Sequence, residues 1–423
     1  MGVADRDGER VRRVRAGEVH ARKLQPHHVG DLFLLGVAHA DDRLLDLVGR
    51  VFADLEPGAR GDEERDPPGL AERVGARINA YAKFGTAVVI FPDGFKIDVA
   101  SARMEYYKFP AALPTVEMSS IKLDLFRRDF TINTLAIFLN PAKFGKLIDF
   151  FGGQRDIKEK AIRILHNLSF VEDPTRVFRA IKFEQRFGFT IGKLTSGLIE
   201  NAVRMDFFKR LSGRRVFSEL CQILKEDTPL PALSRLNDYD LLKVIDPTIE
   251  FNQSLENRFN AARKAISWFD LLYTEEPYMR WAVYFLILIR HADEETGTRI
   301  CQRFELGPRY QKLFVKDRMA AEALIGQWHR APPQSNSQLY HMLSEFQMEL
   351  VLYMMAITDH ETIKRMISHF VTDLRGIELS VGGRDIKALG IAPSPVYSKI
   401  LNAVLEARLN GEIQTHEEEL ELL

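Results

Sequence analysis

Two runs rich in β-forming residues, TAVVIF and FKIDVAS, stand on either side of Pro92, Asp93 and Gly94 and predict a hairpin over residues 84–101. From Asp124 to Ala136 the apolar positions take helical spacing instead. After Gly152 and Gly153, which mark a turn or hinge, nearly every segment has helical periodicity and strand signals stop. A small α/β head followed by a long all-helical remainder is therefore expected. Pro229 with Pro231, and Pro332 with Pro333, punctuate that remainder. Ser394 and Pro395 make a helix start and Gly411 a stop, and the final HEEELELL reads as a fraying acidic tail. The longest apolar run, Trp281 to Ile289, suits a buried helix and is too short to span a bilayer. No internal repeat is visible.

Composition adds bounds. A chain of 423 residues, 46% hydrophobic, can bury more than one core and predicts two to four domains. Its first twenty residues are charged and lack an apolar stretch, so no secretory leader is expected. Cys221 and Cys301 suggest neither a disulfide framework nor a zinc site, and a reducing cytoplasm is the expected compartment. Net charge is −1, yet residues 154–215 hold fourteen Lys and Arg against seven Asp and Glu. That local excess is an RNA-sized footprint. Its densest part is Lys209, Arg210, Arg214 and Arg215, expected on backbone phosphate, with Phe207, Phe208 and Phe217 beside it expected to face the core.

Within that basic region, Asp173, Arg176 and Arg179 recur every third residue. On a helix they would face one cavity with an acceptor and two planar donor forks. A carboxylate accepts from the exocyclic amine of adenine or cytosine, and a guanidinium donates to ring nitrogens, carbonyls or phosphates. The spacing also fits an exposed ion-pair ladder, worth a few tenths of a kcal/mol per pair.

Four ordered motifs decide between the two. RRDFTINTLA (residues 127–136), LIDFFGGQRDIKEKAIRIL (147–165), EDPTR (172–176) and KRLSGRRVFSEL (209–220) resemble the bacterial class II tRNA nucleotidyltransferase and poly(A) polymerase family. The resemblance extends upstream through residues 83–107 and downstream, faintly, to SVGGRDIKALGI at 380–391. It implies a polymerase-β-like nucleotidyltransferase head, degraded in its N-terminal part, followed by an all-α neck, body and tail. The corresponding spans are an atypical segment over 1–68, disordered or mistranslated, a head over 69–152, a neck over 153–226, a body over 227–370 and a tail over 371–423.

Carried over by residue, the resemblance makes Arg128 a triphosphate or sugar contact and Asp173 and Arg176 the base readers. Arg179 becomes a further nucleotide contact. Lys182 stands where the family usually has arginine, keeping the charge without the planar fork. Asp129 and Asn133 are expected to hold their loop in shape. The implied reaction is addition of CMP or AMP from CTP or ATP to the 3′ end of tRNA, with Mg2+. Poly(A) synthesis and a tRNA- and nucleotide-binding relative without turnover are the alternatives.

The head departs from the family where the metal should bind. Paired Mg2+ ions need carboxylates, which the family supplies from a GGxVRD turn and a DxD strand. Here the candidates are Asp41, Asp42 and Asp46, with neither pattern present. Asp98 in KIDVAS is a candidate third carboxylate or a plain surface residue. Residues 1–77 contain no Ser, Thr, Ile, Asn or Tyr. Two explanations fit that abrupt shift: an upstream frame or start error, and true divergence to an inactive binder.

Overall fold

The computed structural model describes residues 75–81, 86–107, 109, 115–138 and 143–423, together with the backbone of 33–34. The chain divides into two compact units. The first comprises Met1–Glu105, Val116–Arg128 and Asn133–Gln154, and the second Tyr106–Thr115, Asp129–Ile132 and Arg155–Leu423.

In the first unit, β2 (Arg77–Tyr81), β3 (Thr86–Ile90) and β4 (Lys96–Ala100) form an antiparallel meander. Val89 pairs with Ile97, and Val88 with Asp98. Ala87, Val89, Ile97 and Val99 are buried while Lys96, Asp98 and Ala100 are exposed, the period of two that a one-sided strand requires. The β3–β4 hairpin is the one expected from sequence. Gly94 takes φ 85° in its turn, and Phe95 N–H donates to the Asp93 carboxylate at 2.9 Å.

A second small sheet runs in the order β1 (Phe33–Leu34), β7 (Ala136–Phe138), β8 (Leu147–Ile148). Strands β5 (Arg103–Tyr106) and β6 (Thr115–Met118) pair separately. Helix α1 (Ile121–Phe126) is capped by Ser120, and its Leu125 packs with Ala136 and Ile148. The helical spacing expected from Asp124 to Ala136 is realised only as far as Phe126. Thr131–Asn133 forms a single tight 3-10 turn and Ala136 already lies in a strand.

The second unit is almost wholly helical. Its first part holds α2 (Gly153–Lys158), which starts in the first unit, α3 (Ser169–Glu172), α4 (Thr175–Phe187), α5 (Lys193–Arg204) and α6 (Gly213–Leu224). Two strand pieces, β9 (Ala161–Ile162) and β10 (Thr190–Ile191), pair in parallel. The sequence shows no strand signal there because two residues cannot establish a period.

Then follow α7 (Leu230–Asp238), α8 (Leu242–Ile245), α9 (Gln253–Asp270), α10 (Arg280–Leu288), α11 (Glu294–Arg303), α12 (Pro308–Gln311) and α13 (Arg318–Trp328). The unit closes with α14 (Asn336–Ser344), α15 (Met348–Ile357), α16 (Glu361–His369), α17 (Gly383–Ala388), α18 (Val396–Asn410) and α19 (His416–Leu422). The apolar run at 281–289 is the buried α10, which packs on α9, α15 and α6. Pro231 sits in the first turn of α7, and Gly411 ends α18 with φ 76°. No helix among the described residues is long and apolar enough to cross a membrane.

The C-terminal segment corrects the expectation of a fraying tail. Residues 416–422 form α19, started by a Thr415–Glu418 capping box. Glu419 is 1% exposed. It accepts from Ser380 N–H at 2.8 Å, Ser380 Oγ at 2.5 Å and Val381 N–H at 3.2 Å. Burial opposes its charge, but these bonds and Arg408 outweigh that and hold the carboxyl below its usual range. One of the tail's carboxylates is therefore a structural acceptor.

Candidate nucleotide and RNA site

Helix α4 is placed by its two ends. At its C-terminus Gly188 takes φ 61° and closes the last turn. Near that end, buried Glu184 accepts from Ile191 N–H at 2.9 Å and from Arg235 Nε at 3.0 Å, tying α4 to β10 and α7. At its N-terminus stands Asp173, extended at φ −139°. The sequence expectation put Asp173 on the helix face, whereas the structure makes it the cap. Its Oδ1 accepts from Thr175 N–H at 2.9 Å and Thr175 Oγ at 2.5 Å, and Pro174 follows it, the residue best suited to a first helical position. Arg215 on α6 pairs with the same oxygen at 2.8 Å. Oδ2 is left without a hydrogen-bond partner among the described residues, so one oxygen holds the fold and the other can accept from a ligand.

Arg176, Arg179 and Lys182 share a face of α4, each three residues on from the last. Arg176 is 5% exposed and its Nη1 donates to Ser169 Oγ at 2.8 Å, with Glu172 at 3.9 Å. Arg179 turns its Nε to Asp129 Oδ2 at 2.7 Å. Burial works against the Arg179 charge, but Asp129 overcomes it and raises the pKa. Lys182 is buried and lies 5.2 Å over the Phe183 ring. Burial, and then Arg179, pull its pKa down, against the opposing charge of Glu219 on α6.

Sequence reasoning missed Glu219. Burial raises its pKa, and its Oε2 is buried with no hydrogen-bond partner among the described residues. The available signal was its position four residues after Arg215 in RRVFSEL, which puts both on one face of α6. Three cations (Arg179, Lys182, Arg215) and three carboxylates (Asp129, Asp173, Glu219) thus act on one another across α4, α6 and the loop at 129–132.

That loop is pinned on both sides, as expected for a shape-holding role of Asp129. Asp129 Oδ1 accepts Phe130 N–H at 2.9 Å, Thr131 Oγ donates to the fully buried Asp156 at 2.6 Å, and Thr131 N–H donates to Arg163 O at 3.0 Å. In the first unit, Arg128 Nη1 donates to the Asn133 carbonyl at 3.2 Å and its Nη2 lies 3.5 Å from Asp124 Oδ2. The GGQ turn there is organised by Asp149, which accepts the N–H groups of Gly152, Gly153 and Gln154 at 2.8 to 3.0 Å.

Of the basic cluster, Lys209, Arg210 and Arg214 are exposed, and Lys209 pairs with Asp206. Arg215 is half-buried against Asp173 instead. Phe207 and Phe208 are buried, and Phe217 packs on Phe304 at 5.2 Å and Phe285 at 5.3 Å, the core placement expected for all three. Asp98 is exposed on β4. Asp41, Asp42 and Asp46 lie outside the described residues. Among the described residues no three His, Cys, Asp or Glu side chains converge as metal ligands, so those residues do not by themselves fit a Mg2+ site.

Comparison with known proteins gives this geometry a family. Residues 48–163 match a family model described as "Poly A polymerase head domain", beginning inside the segment expected to be atypical. Residues 188–252 match "Probable RNA and SrmB- binding site of polymerase A". An A-adding tRNA nucleotidyltransferase of Geobacter sulfurreducens is 46% identical over 380 residues, 89% of this chain. The chain spans 43% of the length of that relative. A solved CCA-adding enzyme, apo form II, is 30% identical with a TM-score of 0.65, covering 90% of this chain and 95% of its own. The Thermotoga maritima CCA-adding enzyme complexed with tRNA is 31% identical with a TM-score of 0.60, covering 84% of this chain and 82% of its own. The chain belongs to the tRNA nucleotidyltransferase and poly(A) polymerase family, with a nucleotidyltransferase head followed by helical domains.

Proposed function

We propose that this chain is a template-independent tRNA nucleotidyltransferase that adds AMP, CMP or both to the 3′ end of tRNA in the cytoplasm. The observation that carries the reading is the division of labour at Asp173, whose Oδ1 is consumed by the helix cap and Arg215 while Oδ2 remains for a ligand donor. An acceptor-only oxygen selects adenine or cytosine, which offer an exocyclic amine, against uracil, which offers a carbonyl. Arg176 supplies the complementary donors, and Arg179 and Lys182 contact the nucleotide from the following turns of α4. Arg128 serves the triphosphate or sugar. Lys209, Arg210 and Arg214, exposed on the surface, meet the phosphates of the RNA, while Arg215 serves chiefly to hold Asp173.

The domain spans that go with this reading are head 69–152, neck 153–226, body 227–370 and tail 371–423. Mg2+ is the cofactor proposed from family chemistry, where it would neutralise the triphosphate. Asp98, exposed on β4, is the candidate third carboxylate for such a site. The name of the Geobacter relative points to A addition and those of the two solved relatives to CCA addition, and the tRNA bound to one of them supports tRNA as the partner.

The test is incorporation of labelled ATP and CTP, with Mg2+, into tRNA ending before the CCA, after one C and after CC, with Asp173→Ala as control. Incorporation that the control loses supports the reading, and the substrate used sorts A addition from CC and CCA addition. Retained tRNA and ATP binding without incorporation on any substrate would replace it with the binding-protein alternative.

A further inference from the structure

Arg176 is the most deeply buried of the side chains assigned to the base, and a buried residue that bonds it lies outside the EDPTR stretch. Ser169 opens α3 and has no exposed surface. Its hydroxyl accepts from Arg176 Nη1 at 2.8 Å, a side chain-to-side chain bond spanning the break between α3 and α4. Its carbonyl accepts from Asp173 N–H at 3.1 Å. One residue therefore touches both proposed readers, through two different atoms.

A guanidinium recognises a base through parallel N–H bonds, and their worth depends on the plane in which the fork is presented. An arginine side chain has several rotatable torsions, so the plane must be set by something rigid. A buried hydroxyl on a neighbouring helix is such a fixture. Glu172, at 3.9 Å from the same Nη1, adds charge without that directionality.

We propose that Ser169 is a positioning residue for base selection, fixing the orientation of the Arg176 guanidinium while its backbone fixes the start of the Asp173 cap. The inference rests on the base-reading role of Arg176 given above. Loss of the hydroxyl leaves Arg176 charged and in place but loosens its plane. The effect should appear in discrimination between nucleotides more than in affinity for the favoured one.

The experiment is equilibrium binding of ATP, CTP, GTP and UTP to the 423-residue protein and to Ser169→Ala, Ser169→Cys, Arg176→Ala and the double variant Ser169→Ala/Arg176→Ala, with thermal melting alongside. Ser169→Ala is expected to narrow the ratio of preferred to rejected nucleotides by about fivefold to tenfold, less than the full worth of a hydrogen bond to a charged group because the guanidinium stays in place. Ser169→Cys, of similar volume and weaker acceptor strength, should fall between, and it serves the test if the alanine variant does not fold. The double variant should discriminate no worse than Arg176→Ala, because the hydroxyl acts only through the guanidinium. Wild-type ratios in both serine variants, with the ratio lost in Arg176→Ala, would overturn the proposal and leave base reading intact. An unchanged ratio in Arg176→Ala, or no preference in the wild type, would overturn the base-reading assignment and this proposal with it.

Discussion

Replacing Glu419 with alanine should release the C-terminal helix. The carboxylate is 1% exposed and accepts from Ser380 N–H, Ser380 Oγ and Val381 N–H, with Arg408 at 3.7 Å. Hydrogen bonds to a charged group contribute about 1.5–3 kcal/mol each. The sum overstates the loss. Ser380 is itself exposed, its hydroxyl has His416 Nδ1 at 2.8 Å as a second partner, and water can reach its N–H once the carboxylate is gone. A net cost of about 2–3 kcal/mol follows, confined to the docking of α19 against the loop at 380–381.

Amide exchange reads that cost directly. Protection at Ser380, Val381 and the central turn of α19 should fall by about 30- to 150-fold. Protection in α10 and α15 should not change. Glu421→Ala, on the exposed side of the same helix, is the control and should leave exchange at Ser380 as it was. A change of less than about threefold in Glu419→Ala would mean that the tail is held by something else and that the buried carboxylate contributes little. Acid should reproduce the effect, because a carboxyl held below its ordinary 4.5 stabilises above that pH and loses its contribution as pH falls through the folded value.

Two further outcomes are expected. At Gly213 a Cβ would overlap the carbonyl of Arg303 and stand 3.1 Å from Phe304 Cα, so Gly213→Ala should lower the melting point through a cost of at least about 1–3 kcal/mol; Gly326→Ala, in open space within α13, should raise it slightly, and the opposite order would refute the packing argument. Burial, then the charge of Arg176, hold the His166 pKa below 6.5, so the folded protein binds that proton less readily than the unfolded chain and loses stability as pH drops below about 6.5; a His166 midpoint above 6.5 by NMR would contradict this.

Legibility from sequence followed the range of the forces involved. The β3–β4 hairpin, the buried α10 and the Gly411 stop depend on nearest neighbours and on one-face periodicity, and all three were visible. The helix expected over 124–136 was not realised beyond Phe126, because Thr131 is tied to Arg163 and Asp156, a contact about thirty residues away that no local window contains. The acidic tail was misread for the same reason, since the partner of Glu419 is Ser380. At α4, Asp173 was placed one step too far into its helix. Glu219 went unseen although its spacing from Arg215 on α6 was there to be read, and Ser169 went unseen because EDP interrupts the helix and breaks the spacing that would have linked it to Arg176.

The two oxygens of Asp173 bear on how this position can vary. Asn, Ser and Thr cap helices about as well as Asp, so the fold tolerates several residue types at 173. On the proposed base-reading role, a ligand donor meeting Oδ2 would tolerate fewer, since Asn can turn an N–H₂ toward it and a hydroxyl falls short. Selection on folding and selection on substrate choice therefore draw different boundaries around the same codon. A library screened for solubility or heat resistance would pass variants at 173 that a nucleotide-dependent screen removes, and the gap between the two lists would measure how much of this residue belongs to the helix and how much to its ligand.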